Sequence, residues 1–143
     1  MNVLSLSVER LTDGRWVDKE GIRFSESALI KVSIDGEDIE QIEAFRDSLV
    51  VFEELEKSAG ASGNYLIFTC ACGMAEDGGW EGVKVVVEES TLSWSVDVGP
   101  APVHFVFERS NYVAEIESVR KMLEVEPLPL EPRAVGFPMN FKR

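Results

Sequence analysis

The sequence predicts an α+β domain: a mainly antiparallel sheet with two helices, in the order β-meander, helix, β-meander, helix. Three observations carry this. Apolar and polar residues alternate at Leu4, Leu6 and Val8 against Ser5 and Ser7, and again at Ile30, Val32 and Ile34 against Lys31 and Ser33, the period of a half-buried strand. Ile39, Ile42, Phe45, Leu49, Phe52 and Leu55 then recur at spacings of three and four, as on one face of a helix. Beyond them, Val83, Val85 and Val87 face Leu92, Trp94 and Val96 across a short polar connection, a hairpin signal.

The remaining elements follow in order. Thr12, Asp13 and Gly14 are expected to turn the chain, with short strands at 15–17 and 22–24. Asp38, with Gln41 three residues on, suits a helix cap, and Gly60 to Gly63 should end that helix in a flexible turn. Residues 65–70 form a continuous apolar run of the type expected for a central strand covered on both faces. Gly99, Pro100, Ala101 and Pro102 make a rigid connector to a strand through Val103, Phe105 and Phe107. Ser110 is expected to cap a second helix that turns Tyr112, Val113, Ile116, Val119 and Leu123 inward. Residues 1–125 are thus predicted to form a single α+β domain. The tail at 126–143 holds Pro127, Pro129, Pro132 and Pro138 and should lie extended on the same domain through Phe137 and Phe141.

The chain has 143 residues, 45% of them apolar and 28% charged, values that belong to one folded domain rather than a disordered chain. No apolar run approaches the roughly 20 residues of a membrane span, and the start lacks a secretory signal, so a cytoplasmic location is expected. Cys70 and Cys72 cannot make a disulfide framework, and bridging them would demand unusual local geometry, which fits a reducing compartment. The net charge of −12 disfavours nucleic acid and anionic membranes as partners and favours a basic protein. Between residues 35 and 90 there are 14 acidic residues against Arg46, Lys57 and Lys84, a net of −11. The later acids of the first helix oppose its dipole, so a use other than helix stability is expected for them.

Several side chains carry chemistry, each with a plainer reading beside it. Cys70 and Cys72 are soft donors next to a glycine-rich turn, yet His104 is the only further soft or nitrogen donor, short of the four ligands of a closed zinc site. No metal and no cofactor is therefore expected, and the two cysteines read equally as small buried apolar residues sharing the face of Phe68. One thiol with His104 and an acid could make a nucleophile and base. The loop from Gly73 to Gly82 lacks the lysine and following helix of a phosphate loop, and its own acids would repel an anion. Trp94 reads as core, whereas Trp80, flanked by glycines and acids, is the best candidate for an exposed partner anchor.

Phe68-Thr69-Cys70-Ala71-Cys72-Gly73, followed by Gly79-Trp80-Glu81-Gly82-Val83-Lys84-Val85 and a strand with Trp94, resembles a group of small bacterial proteins of uncharacterised function. Their pattern has CxCG with a third cysteine a few residues on, where this chain has Asp77. Some of them look like companions of toxin systems, so the resemblance implies an immunity role. Together these readings lead to the expectation of a non-enzymatic acidic binding module for a basic partner, with Glu40, Glu43, Asp47, Glu54, Asp77, Trp80 and Glu81 in the contact. The alternative is a metal- or thiol-dependent enzyme centred on Cys70, Cys72 and His104.

Overall fold

The computed structural model describes residues 1–97 and 100–143. It bears out the α+β class: three antiparallel sheets and two helices enclose a main apolar core and a smaller one. Of the predicted connector, Gly99 lies outside the described residues.

Strand β1 (Leu4–Lys19) pairs along its length with β2 (Ile22–Ile34), and the short β3 (Glu37–Asp38) extends the sheet. The reversal falls at Glu20 and Gly21, with φ of 53° and 80°, the two positive values that a two-residue hairpin turn requires. Thr12, Asp13 and Gly14 do not turn the chain. Residues 12–15 bulge out between the pairs Leu11↔Ser27 and Trp16↔Ser25, and β1 then rejoins the same partner. Positive φ at Asp13 and Gly14 is used here for a bulge, a feature whose composition matches that of a turn.

The long first helix predicted from residue 39 is not formed. In its place stand two 3-10 turns (Ile39–Gln41 and Glu43–Phe45), strand β4 (Leu49–Val50) and a short helix α1 (Phe52–Ser58). Ile39, Ile42 and Phe45 are spaced by three, the period of a 3-10 turn, so they reach the core without an α-helix. Extended backbone at Ile42 and Arg46 and a left-handed Asp47 (φ 61°) break the run. Asp38 does cap, but a 3-10 turn: its Oδ1 accepts the Glu40 N–H at 2.9 Å.

The apolar run at 65–70 is divided between two sheets. Strand β5 (Gly63–Tyr65) pairs with residues 83–85, and β6 (Phe68–Thr69) pairs with β4; the fully buried Leu66 and Ile67 make the corner between them. Strands β7 (Val83–Val87), β8 (Thr91–Val96) and β9 (Val103–Glu108) complete a sheet of order β5-β7-β8-β9, with the predicted hairpin in place. Helix α2 (Arg109–Val125) lies over β1, β8 and β9. Its N-cap is Glu108 rather than Ser110, and Val113, predicted inward, is 45% exposed. At the centre Trp94 is fully buried among Phe68, Phe107 and Tyr112, and its ring N–H donates to the Tyr112 hydroxyl at 3.1 Å.

Residues after α2 lie against the body. The Ala28 N–H donates to Pro129 O and the Glu131 N–H to Ala28 O; the Gly136 N–H donates to Gly73 O at 2.8 Å and the Ala75 N–H to Gly136 O at 3.0 Å. This segment thus ties β2 to the loop after β6. The tie depends on Gly73, which has φ +82° and whose Cβ, if present, would lie 2.4 Å from Ala134 O. Gly73→Ala is expected to displace the segment and to cost about 2–3 kcal/mol in urea unfolding, with faster amide exchange at Gly136. Wild-type stability with Gly136 still protected would contradict this.

Candidate functional site

The loop that follows β6 holds the residues with the most chemistry. Its first turn is closed by the Gly73 N–H donating to Cys70 O at 3.0 Å, and this turn ends the strand alternation on which a shared face for the two cysteines depended. Cys70 is buried and Cys72 exposed. The expectation of two buried apolar cysteines is corrected for Cys72, because the turn swings it out to solvent. Their Sγ atoms are 3.0 Å apart, and the Cys70 thiol donates to Met74 O at 3.0 Å. Asp77 Oδ2 lies 3.9 Å from Cys72 Sγ. The Cys70 sulfur hydrogen-bonded to it, with burial and the Asp77 charge adding, pushes the Cys72 thiol above the usual cysteine range, against an opposing hydrogen bond with the Met74 backbone.

A 3-10 turn (Ala75–Gly78) carries the chain back inward, and Trp80 ends the loop in the core. Trp80 is only 6% exposed; its ring packs 5.4 Å from Phe45 and 5.9 Å from Phe68, centroid to centroid, and its backbone N–H donates to Ala75 O. The expectation of an exposed anchor is therefore overturned. Glycines and acids surround Trp80 in sequence because the loop must double back to bury it. At Gly78 an added Cβ would lie 2.7 Å from Cys70 Cβ, so the indole and the thiol share a space that only glycine leaves open.

The acidic residues expected to meet a partner separate into two groups. Glu54 is buried: its carboxylate accepts Arg143 Nη1 at 2.6 Å and the Leu66 N–H at 3.0 Å, so it anchors the tail and the chain corner instead of facing a partner. Glu40 ties three segments together, bonded to Lys19 Nζ at 2.6 Å on β1, to Lys31 Nζ on β2 and to the Asp47 N–H at 3.0 Å. Burial works against its charge, yet the hydrogen bonds from Lys19 and Lys31 outweigh it and hold the carboxyl below the usual range. Asp47 is half-buried and accepts the Glu20 N–H at 3.2 Å. Glu43, Asp77 and Glu81 are exposed, and no ion pair engages them among the described residues. Since residues 39–51 form no α-helix, no helix presents these acids as a continuous face.

His104 is not brought to the thiols. It stands exposed on β9, the edge strand opposite β5, with Nδ1 2.9 Å from Ser95 Oγ, and among the described residues no three His, Cys, Asp or Glu side chains are grouped to hold a metal.

Sequence reasoning missed a set of exposed apolar side chains beside the loop: Met74 at 52%, Phe137 at 42% and Met139 at 84%. Met74 lies across Gly136, whose added Cβ would meet Met74 Sδ at 2.4 Å. Next to them an open groove of about 370 Å³ is lined by Glu76, Glu81, Met139, Phe141 and Lys142. The available signal was Phe137 and Met139 flanking Pro138, apolar residues in a segment with few positions to bury them.

The fold and loop define an α+β domain with a two-thiol turn roofed by its own C-terminal segment. No protein-family model matches the chain, and neither a curated protein nor a solved structure matches it. Among the described residues no helix is long and apolar enough to cross a membrane.

Proposed function

We propose that this protein is a non-enzymatic binding module of the bacterial cytoplasm, and specifically an immunity protein that occludes a basic toxin. The observation that carries the reading is the surface formed by the loop and the C-terminal segment. There Met74, Phe137 and Met139 stand exposed beside Glu76, Asp77 and Glu81, none of which has a cationic partner within ion-pair distance among the described residues. Adaptable apolar anchors beside three carboxylates, with Lys142 the one cation lining the groove, suit a partner with an apolar centre and a mainly basic rim. Glu81, Asp77 and Glu43 stay in the proposed contact. Glu40 and Asp47 move to its margin, and Glu54 and Trp80 leave it for the interior.

The test is capture from an extract of the source cell on the immobilised chain, with Met139→Ser and Glu76→Gln/Glu81→Gln as paired controls. One basic protein, held in stoichiometric amount by wild type, weakened at least about tenfold by either variant and released by salt, is the expected result. That protein should arrest growth when expressed alone and not when this chain is co-expressed. Equal retention on all three surfaces, or a captured protein without toxicity, would reject the reading.

A further inference from the structure

We infer that Cys70 and Cys72 form a thiol–disulfide exchange site that takes a low-molecular-weight disulfide as its co-reactant. The turn at 70–73 places the two sulfurs 3.0 Å apart, so forming a bond of about 2.05 Å asks for a movement of only about 1 Å. Their surroundings divide the two roles that exchange needs. Cys72 is exposed and meets the co-reactant; Cys70 is buried behind it, touches Cys72 and little solvent, and serves as the resolving thiol. Gly78 packs against the Cys70 Cβ, where a side chain of its own would come within 2.7 Å, so the buried thiol keeps its place beside Cys72. A bridge that closes a three-residue ring removes little chain entropy, which suits a bond that forms and opens rather than a structural staple.

The reaction balances without further partners. Cys72 gives its proton to solvent and its thiolate attacks one sulfur of RS–SR; that bond breaks and RS⁻ leaves, taking up a proton. Cys70 then loses its proton and attacks the Cys72 sulfur, the mixed disulfide breaks, and a second RSH leaves. The protein dithiol has lost two electrons and two protons, and RSSR has become two RSH. Because the neighbouring Cys70, with burial and the Asp77 carboxylate beside Cys72 adding, disfavours the Cys72 thiolate, and the one other carboxylate at the turn, Glu20, is taken up by the Ala71 N–H, exchange should be slow near neutrality and rise about tenfold per pH unit below the raised thiol pKa.

The experiment exposes the reduced full chain to glutathione buffers with a rising share of oxidised glutathione, quenches with acid, alkylates the unfolded chain and reads its mass. Wild type should lose both alkylation sites together and two hydrogens, with no lasting adduct. Cys70→Ser should accumulate the glutathione mixed disulfide on Cys72, while Cys72→Ser should react at least about tenfold more slowly, its remaining thiol being buried. Wild type ending as a glutathione adduct on Cys72 with Cys70 still alkylatable would overturn the proposal. So would two free thiols at the highest oxidant share, or Cys72→Ser reacting as fast as wild type. The wild-type masses decide even if a variant folds poorly, and since no protein partner is involved, the result is independent of the proposed binding role.

Discussion

Replacing Trp80 by alanine is expected to remove about 3–5 kcal/mol of stability, the cost of emptying a large aromatic site in a packed core. The indole is 6% exposed and wedged against Phe45 and Phe68, and Phe68 in turn meets Trp94 edge-on at 5.7 Å, so the void opens at a junction between sheets. Thermal unfolding should fall by roughly 10 °C, and Trp80→Phe should recover a substantial part of the loss. A partner anchor would behave in the opposite way, with binding lost and stability changed by less than about 1 kcal/mol. Observing that pattern would return Trp80 to the surface and remove the account of the loop given above.

Glu54→Ala should cost about 2–4 kcal/mol, because it strips a buried N–H at Leu66 of its acceptor and leaves Arg143 without its counter-charge. Arg143→Ala should cost less, since the guanidinium is 42% exposed and the Leu66 bond survives. Burial alone would raise the Glu54 pKa, but the Arg143 and Leu66 hydrogen bonds, with the Arg143 and Lys57 charges, outweigh it and hold the carboxyl below its ordinary range. A depressed folded-state pKa means that this stabilisation is complete above the ordinary carboxylate pKa and drains away as the pH falls through the folded value. Urea unfolding of wild type and Glu54→Ala should therefore converge on the acid side of pH 4.5. A constant gap between the two curves down to low pH would show that the charge on Glu54 contributes nothing.

Much of the chain was legible from local pattern. The hairpins, the C-terminal helix and the buried Trp94 follow from periods of two and 3.6 that one element satisfies by itself. The failures share a cause. Ile39, Ile42 and Phe45 have a spacing that 3-10 turns satisfy as well as a helix does, and the choice falls to Glu40, whose carboxylate is claimed by Lys19, Lys31 and the Asp47 amide from three separate segments. Asp13 and Gly14 carry turn chemistry, but only pairing with β2 on both sides makes them a bulge. At the candidate site, the cysteines and the acids of the loop could be named from sequence, whereas the thiol contact and the exposed methionines could not.

By itself the sequence determined which residues are apolar, which segments alternate, and therefore that an antiparallel α+β domain forms with most of its negative charge between residues 35 and 90. Tertiary structure decided which carboxylates serve inside: Glu54 and Glu40 are acids like Glu81 in any list of residues, and they differ because Arg143 reaches Glu54 from the end of the chain while Lys19 and Lys31, from two neighbouring strands, meet on Glu40. The physical reason is that a charge can leave water only where an opposite charge and hydrogen bonds meet it, and those partners are brought together by folding rather than by adjacency.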